Sequence, residues 1–266
     1  MSDLFINNEF ISLKDDDWLQ KQRIAGKCVG NILAKSKHLI ESATPNLNLL
    51  DIENFAIECI ESFDCTATFK DYKGFPGSIC ASVNNELVHG IPRDYVLQKG
   101  DVVKIDLGAT YDGVIADAAI TAIYGEPIKK DHVYMLELCK KSLDKAIDSI
   151  AVGKQLGIIG QTIYRTVRGY PYHLITNYGG HGLELNTPHA HPFVYNKAKA
   201  KEGIRIQKGL TIAIEPMLSL KSDKTKVLDD GWTIVTKDIS CHFEHTIFVH
   251  DTYTEIMTKW EDIAYD

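Results

Sequence analysis

No Cys-x-x-Cys pair occurs in the sequence, although six cysteines are scattered at 28, 59, 65, 80, 139 and 241. Such spacing reads as reduced thiols, and it does not by itself build a zinc site. No apolar run approaches the ~20 residues that span a bilayer. The opening "MSDLFINNEF" lacks the apolar stretch of a signal peptide. A cytoplasmic protein is therefore expected. An excess of positive charge is also missing: 29 Lys and Arg face 36 Asp and Glu, a net charge of −7. That argues against a nucleic-acid or anionic-membrane surface, and the short run "KAKAK" at 197–201 reads as a solvated loop. No Pro/Gly/Ser-rich linker divides the chain, so one domain over 21–266 is expected, preceded by an extension over 1–20.

What the sequence does contain is a repeated order of elements. Trp18–Ser42 predicts a helix, with Ile24, Cys28 and Ile32 four apart. Asn48 predicts the cap of a second helix carrying Ile52, Phe55, Cys59, Ile60 and Phe63. The period then changes to strands: "SICASV", "ELVHGI", Val102–Leu107 and Val114–Ile123. Helical patterns return over Asp131–Ala151 and about Leu156–Val167. Strand-like segments follow at Tyr172–Thr176, Leu210–Ile214, Trp232–Thr236 and Phe243–Val249. Helices followed by strands, twice, indicate an α+β fold with a pseudo-duplicated pattern.

Within the pair "VVKIDLGATYDGVIADAAI" at 102–120, Asp112-Gly113 predicts a tight turn. Opposed positions then sum to 225, so Asp106 faces Ala119 and Asp117 faces Gly108. Both carboxylates fall on one face, as diagonal neighbours roughly 7–8 Å apart at Cα. Val103, Ile105 and Leu107 take the other face. A sheet with one wet face would tolerate this. The neighbours, however, are Gly108, Ala116 and Ala119, with no Arg in either strand. Two buried anions so close need a proton or a cation between them. Three further residues interrupt apolar or glycine-rich segments: His181 in "YGGHGLE", Glu215 in "LTIAIEP" and Glu244 in "CHFEHTIFVH". Two Asp, two Glu and one His suit two divalent ions of the Mn, Fe, Co or Zn class. Such a pair activates water and polarises a carbonyl, which is hydrolase chemistry.

These segments resemble type I methionine aminopeptidases of the pita-bread metallopeptidase family. The matching pieces are "GFPGSICASVNNELVHGIP" at 74–92, "GDVVKIDLGATYDGVIADAA" at 100–119, "GGHGLELNTPHAHP" at 179–192, "KGLTIAIEPM" at 208–217, and "DGWTIVTKD" with "FEHTIFV" at 230–249. The resemblance implies a pita-bread fold: two αα-ββ halves around a central antiparallel sheet, with helices outside. It implies that Asp106, Asp117, His181, Glu215 and Glu244 hold two divalent ions, with Asp117 and Glu244 bridging. Glu215 would also take a proton from the attacking water. His89 would bond the scissile amide, and His189 would donate to the substrate carbonyl. Tyr72, Phe75, Cys80 and Trp232 would line a methionine pocket, suited to a thioether. A monovalent cation is implied near Asn84 and Ser240. The implied activity is removal of N-terminal methionine from nascent chains with a small second residue, by a monomeric enzyme acting transiently near the ribosome exit.

The sequence departs from the family pattern in places. "GHGLE" and "HAHP" replace the usual strings, and one extra residue lies between His181 and His189, so His191 competes for the role of His189. Ala118-Ala119 removes a hydroxyl after Asp117, and a shortened loop brings His242 toward the site. Two alternatives remain at this level: a related Xaa-Pro aminopeptidase or dipeptidase, and a catalytically weakened relative. The first usually carries an extra N-terminal domain, for which about 20 residues are too few; the second would have lost ligands. The short form, without a zinc-finger extension, is the expectation for bacteria, organelles or viruses.

Overall fold

A computed structural model describes residues 3–6 and 9–263; residues 1–2 and 7–8 of the expected extension lie outside the described residues. The first half begins with an antiparallel pair, β1 (Asp3–Ile6) and β2 (Glu9–Ser12). Helices α1 (Asp16–Glu41) and α2 (Leu49–Ser62) follow. Then come β3 (Thr66–Ala67), a 3-10 turn at Tyr72–Gly74, β4 (Cys80–Val83), β5 (Glu86–Val88), β6 (Val102–Tyr111) and β7 (Val114–Ile123). The second half opens with α3 (Lys130–Asp148) and α4 (Gly157–Val167). Its strands are β8 (His173–Leu174), β9 (Gly179–Glu184), β10 (Thr187–Tyr195), β11 (Thr211–Ile214) and β12 (Met217–Ser219). They continue as β13 (Thr225–Val227), β14 (Ile234–Thr236), β15 (Ser240–His242), β16 (His245–Val249) and β17 (Thr254–Ile256).

Local chemistry sets the helix starts. The Asp15 side chain accepts the Trp18 N–H at 3.0 Å and begins α1 two residues before the position expected from the apolar pattern. Asn48 caps α2 as expected: its side chain accepts the Leu50 N–H, and Asp51 accepts the Asn48 N–H in return, both at 3.0 Å. The inner faces of α1 and α2, with Cys28, Ile32 and Ile52, pack in one core with Val103, Ile105 and Leu107 of β6. Each fully buried aliphatic there is worth ~1.5–3 kcal/mol over an exposed one.

The β6–β7 register is the one the turn dictates: Asp106 opposes Ala119 and Gly108 opposes Asp117. β6 also pairs with β3 and β4. In the second half a five-stranded sheet runs in the order β10-β9-β11-β16-β17. The two halves join edge to edge. Ala119 of β7 and Glu244, just before β16, exchange main-chain bonds of 3.4 and 2.9 Å. This seam brings the carboxylates of both halves to one place.

From the sequence, no strands are expected over the β9–β10 hairpin. The β9 sequence, "GGHGLE", lacks the β-branched residues that signal a strand. The glycines serve a packing purpose instead. A Cβ on Gly180 would meet the Ala213 carbonyl at 2.1 Å, and one on Gly182 would meet the His191 carbonyl at 1.9 Å. Glycine is what lets β9 lie between β10 and β11.

Candidate metal centre and peptide-binding cavity

Five side chains converge at the seam. Asp106 comes from β6, Asp117 from β7, His181 from β9, Glu215 from the residue after β11, and Glu244 from the two-residue gap between β15 and β16. Asp106, Asp117 and Glu244 each bring an oxygen within 4.8 Å of the others'. His181, Glu215 and Glu244 form a second such group, and Asp117, His181 and His189 a third. The face shared by Asp106 and Asp117 is not a wet one, because every residue of β7 is buried.

Each group is held by its main chain. Asp117 and Thr246 bond each other across the seam. The Glu215 carbonyl accepts from the Asn196 side-chain amide at 3.1 Å, and the next carbonyl, of Pro216, accepts the Cys139 thiol at 3.2 Å. Glu244 is fixed by its bridge to Ala119. His181 Nδ1 lies 3.1 Å from the Gly182 carbonyl. A proton on Nδ1 satisfies that carbonyl and turns the Nε2 lone pair inward. Nε2 lies 3.9, 3.8 and 3.7 Å from Asp117, Glu215 and Glu244.

The electrostatics call for a proton or a cation in the cluster. Burial, then Asp117 and Glu215, push the Asp106 carboxyl well above its ordinary range. Burial, then Asp117, Glu215 and Asp106, do the same to Glu244. Burial raises Asp117 to about 6, with His181 pulling the other way. Glu215 moves down despite its burial, because His242 and His181 favour the anion. Asp106 Oδ1, Asp117 Oδ1 and Glu244 Oε1 are buried without a hydrogen-bond partner. Orphaned carboxylate oxygens with an inward imidazole lone pair are a donor set for divalent ions.

A cavity of about 340 Å³ opens onto these groups. Its walls include His89, His189, Tyr72, Phe75, Cys80 and Trp232, all expected from the sequence. The Phe75 and Trp232 rings meet edge to face at 5.2 Å, and Phe75 and Cys80 pack with Phe69. His189 lies 4.6 Å from the His181 ring and 5.5 Å from Tyr72, centroid to centroid. Burial drives His189 down to about 3, with His181 adding to the effect; burial also lowers His89. Both are neutral N–H donors at neutral pH. Between the competing histidines, the wall contains His189 and not His191. His89 has φ +58°, a left-handed backbone held because the next residue, Gly90, bonds to Ser82 and Ala81. His242 is buried, with Nε2 3.3 Å from Glu215 Oε2 and 3.9 Å from Glu244 Oε2.

Other contributors were missed from the sequence. Phe69, Asn177, Tyr178, Phe193 and Met217 also line the cavity, and no residue pattern signals them. Lys104, two residues before Asp106, is buried at 1% exposure with its ammonium against main-chain carbonyls. The signal for it was present, a lone lysine in the apolar strand "VVKIDL".

The profile of metallopeptidase family M24 matches residues 20–251. A methionine aminopeptidase of Mycoplasma capricolum is 39% identical over 94% of this chain and 99% of its own length. One from Aquifex aeolicus is 36% identical, with the same shares covered. The crystal structure of a methionine aminopeptidase from Thermotoga maritima superposes with a TM-score of 0.89 at 35% identity, over 94% of this chain and 99% of that one. Prolidase from Pyrococcus furiosus shares the fold alone: TM-score 0.71, 17% identity, 93% of this chain but 65% of the prolidase. The residues that converge at the seam thus sit in a pita-bread fold, and the chain belongs to metallopeptidase family M24, among its methionine aminopeptidases.

Proposed function

We propose that this protein removes N-terminal methionine from nascent polypeptides whose second residue is small. It would act as a cytoplasmic monomer, transiently near the ribosome exit. The observation that carries the reading is an apolar slot, Phe75, Cys80, Trp232 and Tyr72, opening beside the carboxylate cluster. A flexible thioether fits among aromatic edges and a thiol, because sulfur–aromatic contacts are favourable.

In this reading Asp106, Asp117, His181, Glu215 and Glu244 would hold two divalent ions of the Co, Mn, Fe or Zn class. Such ions would supply a water of lowered pKa and a Lewis acid for the scissile carbonyl. Glu215, whose Oε2 lies 3.3 Å from His242 Nε2, would take the proton from the attacking water. His189 donates its N–H to the carbonyl oxygen as negative charge develops there, a contribution typically worth ~3–4 kcal/mol. His89 orients the scissile amide. Because both histidines stay neutral, neither competes with the ions for the carboxylates.

The test is product analysis on Met-Ala-Ser and an Ala-Pro-headed peptide with protein loaded with Co²⁺ or Mn²⁺. Release of free methionine from the first and no cleavage of the second supports the reading. Cleavage before proline would instead make the protein an Xaa-Pro aminopeptidase.

A further inference from the structure

Among the described residues Lys104 has the largest fully buried side chain; burial lowers its pKa to about 7, and no carboxylate bonds its amine. Its Nζ donates to the carbonyls of Asn84 at 2.8 Å, Val102 at 3.2 Å and Ser240 at 3.4 Å. An ammonium has three donors and no acceptor, so three carbonyls satisfy it; a neutral amine would leave a lone pair facing one of them. The cage is built from parts held independently of the lysine. Asn84 sits at φ +58° in the β4–β5 turn, donates its N–H to the Val102 carbonyl at 2.7 Å, and receives the Ser240 N–H at 3.1 Å. The Ser240 hydroxyl turns to the Asn84 and Glu86 carbonyls at 3.4 and 3.3 Å. Several main-chain oxygens pointing at one buried centre form a receptor for a small cation.

We propose that Lys104 is a tethered replacement for a bound monovalent cation, and that its ammonium positions the strands carrying the metal ligands without potassium or sodium. The position is the one near Asn84 and Ser240 where the family resemblance implies a free monovalent cation. Each acceptor leads to a site group: Val102 lies on the strand of Asp106, Asn84 lies in the turn before the strand that leads to His89, and Ser240 starts the strand before Glu244. A cation that ties two strands and the β4–β5 turn fixes their placement at the site, and small misplacements there cost rate steeply. Lys104 touches no substrate in this account and is a positioning residue. The inference rests on the proposed activity for its turnover arm only; its melting arm does not.

The experiment compares wild type, Lys104→Ala and Lys104→Met in choline, sodium and potassium chloride at one ionic strength and pH. Wild type is expected to show the same Tm and kcat in all three salts. Lys104→Ala empties the cage and should lose about tenfold or more in kcat in choline, with a lowered Tm; potassium or sodium should restore both saturably. Lys104→Met fills the space with apolar atoms and should regain neither. A saturable rise in wild-type Tm with potassium would overturn the inference. So would a Lys104→Ala variant whose melting ignores the choice of cation, or one that folds in none of the salts. If melting follows the expected pattern while no variant or wild type releases methionine, the cation replacement stands and the aminopeptidase reading fails.

Discussion

Asp117 and Thr246 exchange two hydrogen bonds across the seam between the halves: the Asp117 N–H donates to Thr246 Oγ1 at 2.8 Å, and that hydroxyl donates to the Asp117 carbonyl at 2.7 Å. Both residues are at most 1% exposed. Thr246→Val keeps the shape and leaves an N–H and a carbonyl unpaired, so it should cost ~1–3 kcal/mol of stability. It should also weaken divalent-metal affinity, because Asp117 loses its anchor. Thr246→Ser should retain both. Denaturant melts and metal titrations of the two variants check this; equal losses in both would show that the methyl, not the hydroxyl, matters.

The metal-free protein should lose stability as pH rises. Unfolded carboxyls titrate near pH ~4, whereas burial holds Asp117 up at about 6 and lifts Asp106 and Glu244 well above their ordinary range. Between those values the unfolded chain has ionised and the folded one resists, so stability present at low pH declines through about pH 6 and above. Glu215, lowered by its histidines, acts in the opposite sense and only in acid. Thermal melts in chelator from about pH 5 to 7.5 should fall, and a divalent ion should reverse the fall most at the high end. Glu244→Gln should melt above wild type in chelator at neutral pH. A metal-free Tm that climbs steadily with pH would contradict the charge cluster.

His189 and His191 should separate cleanly. His189→Ala is expected to lower kcat about 10²–10³-fold, the size of a lost oxyanion donor. His191→Ala should stay within a few-fold of wild type, since His191 is not part of the cavity wall. Steady-state kinetics on one methionyl peptide decides; a reversed order would move the carbonyl-binding role to His191.

The slot should govern specificity rather than chemistry. Trp232→Ala removes the ring that meets Phe75 at 5.2 Å and opens the cavity on that side. KM for methionyl peptides should rise and discrimination against leucyl peptides should fall, with kcat less affected. Unchanged selectivity would mean that the amino-terminal side chain lies elsewhere in the cavity.

Much of the site was legible because its signals are local. Asp112-Gly113 fixes a two-residue turn, and the turn fixes which strand positions oppose, so the pairing of Asp106 with Ala119 followed by arithmetic. Glu215 and Glu244 stood out as charges in apolar segments. What stayed hidden depends on contacts between distant segments. No spacing shows that Glu244 bonds Ala119 across the seam, or that the Thr246 hydroxyl steadies Asp117. The β9–β10 hairpin escaped because its glycines answer to neighbouring carbonyls rather than to strand propensity. Lys104 was visible as an anomaly, but its role depends on where Asn84 and Ser240 come to lie.

The central claim is that five side chains from separate strands form one divalent-metal receptor. Calorimetric titration of the metal-free protein with Mn²⁺ or Co²⁺, for wild type against Asp106→Ala and Glu244→Ala, tests it most directly. Wild type should bind saturably, and each variant should lose at least one binding event while still melting cooperatively. Equal binding by all three proteins would contradict the account.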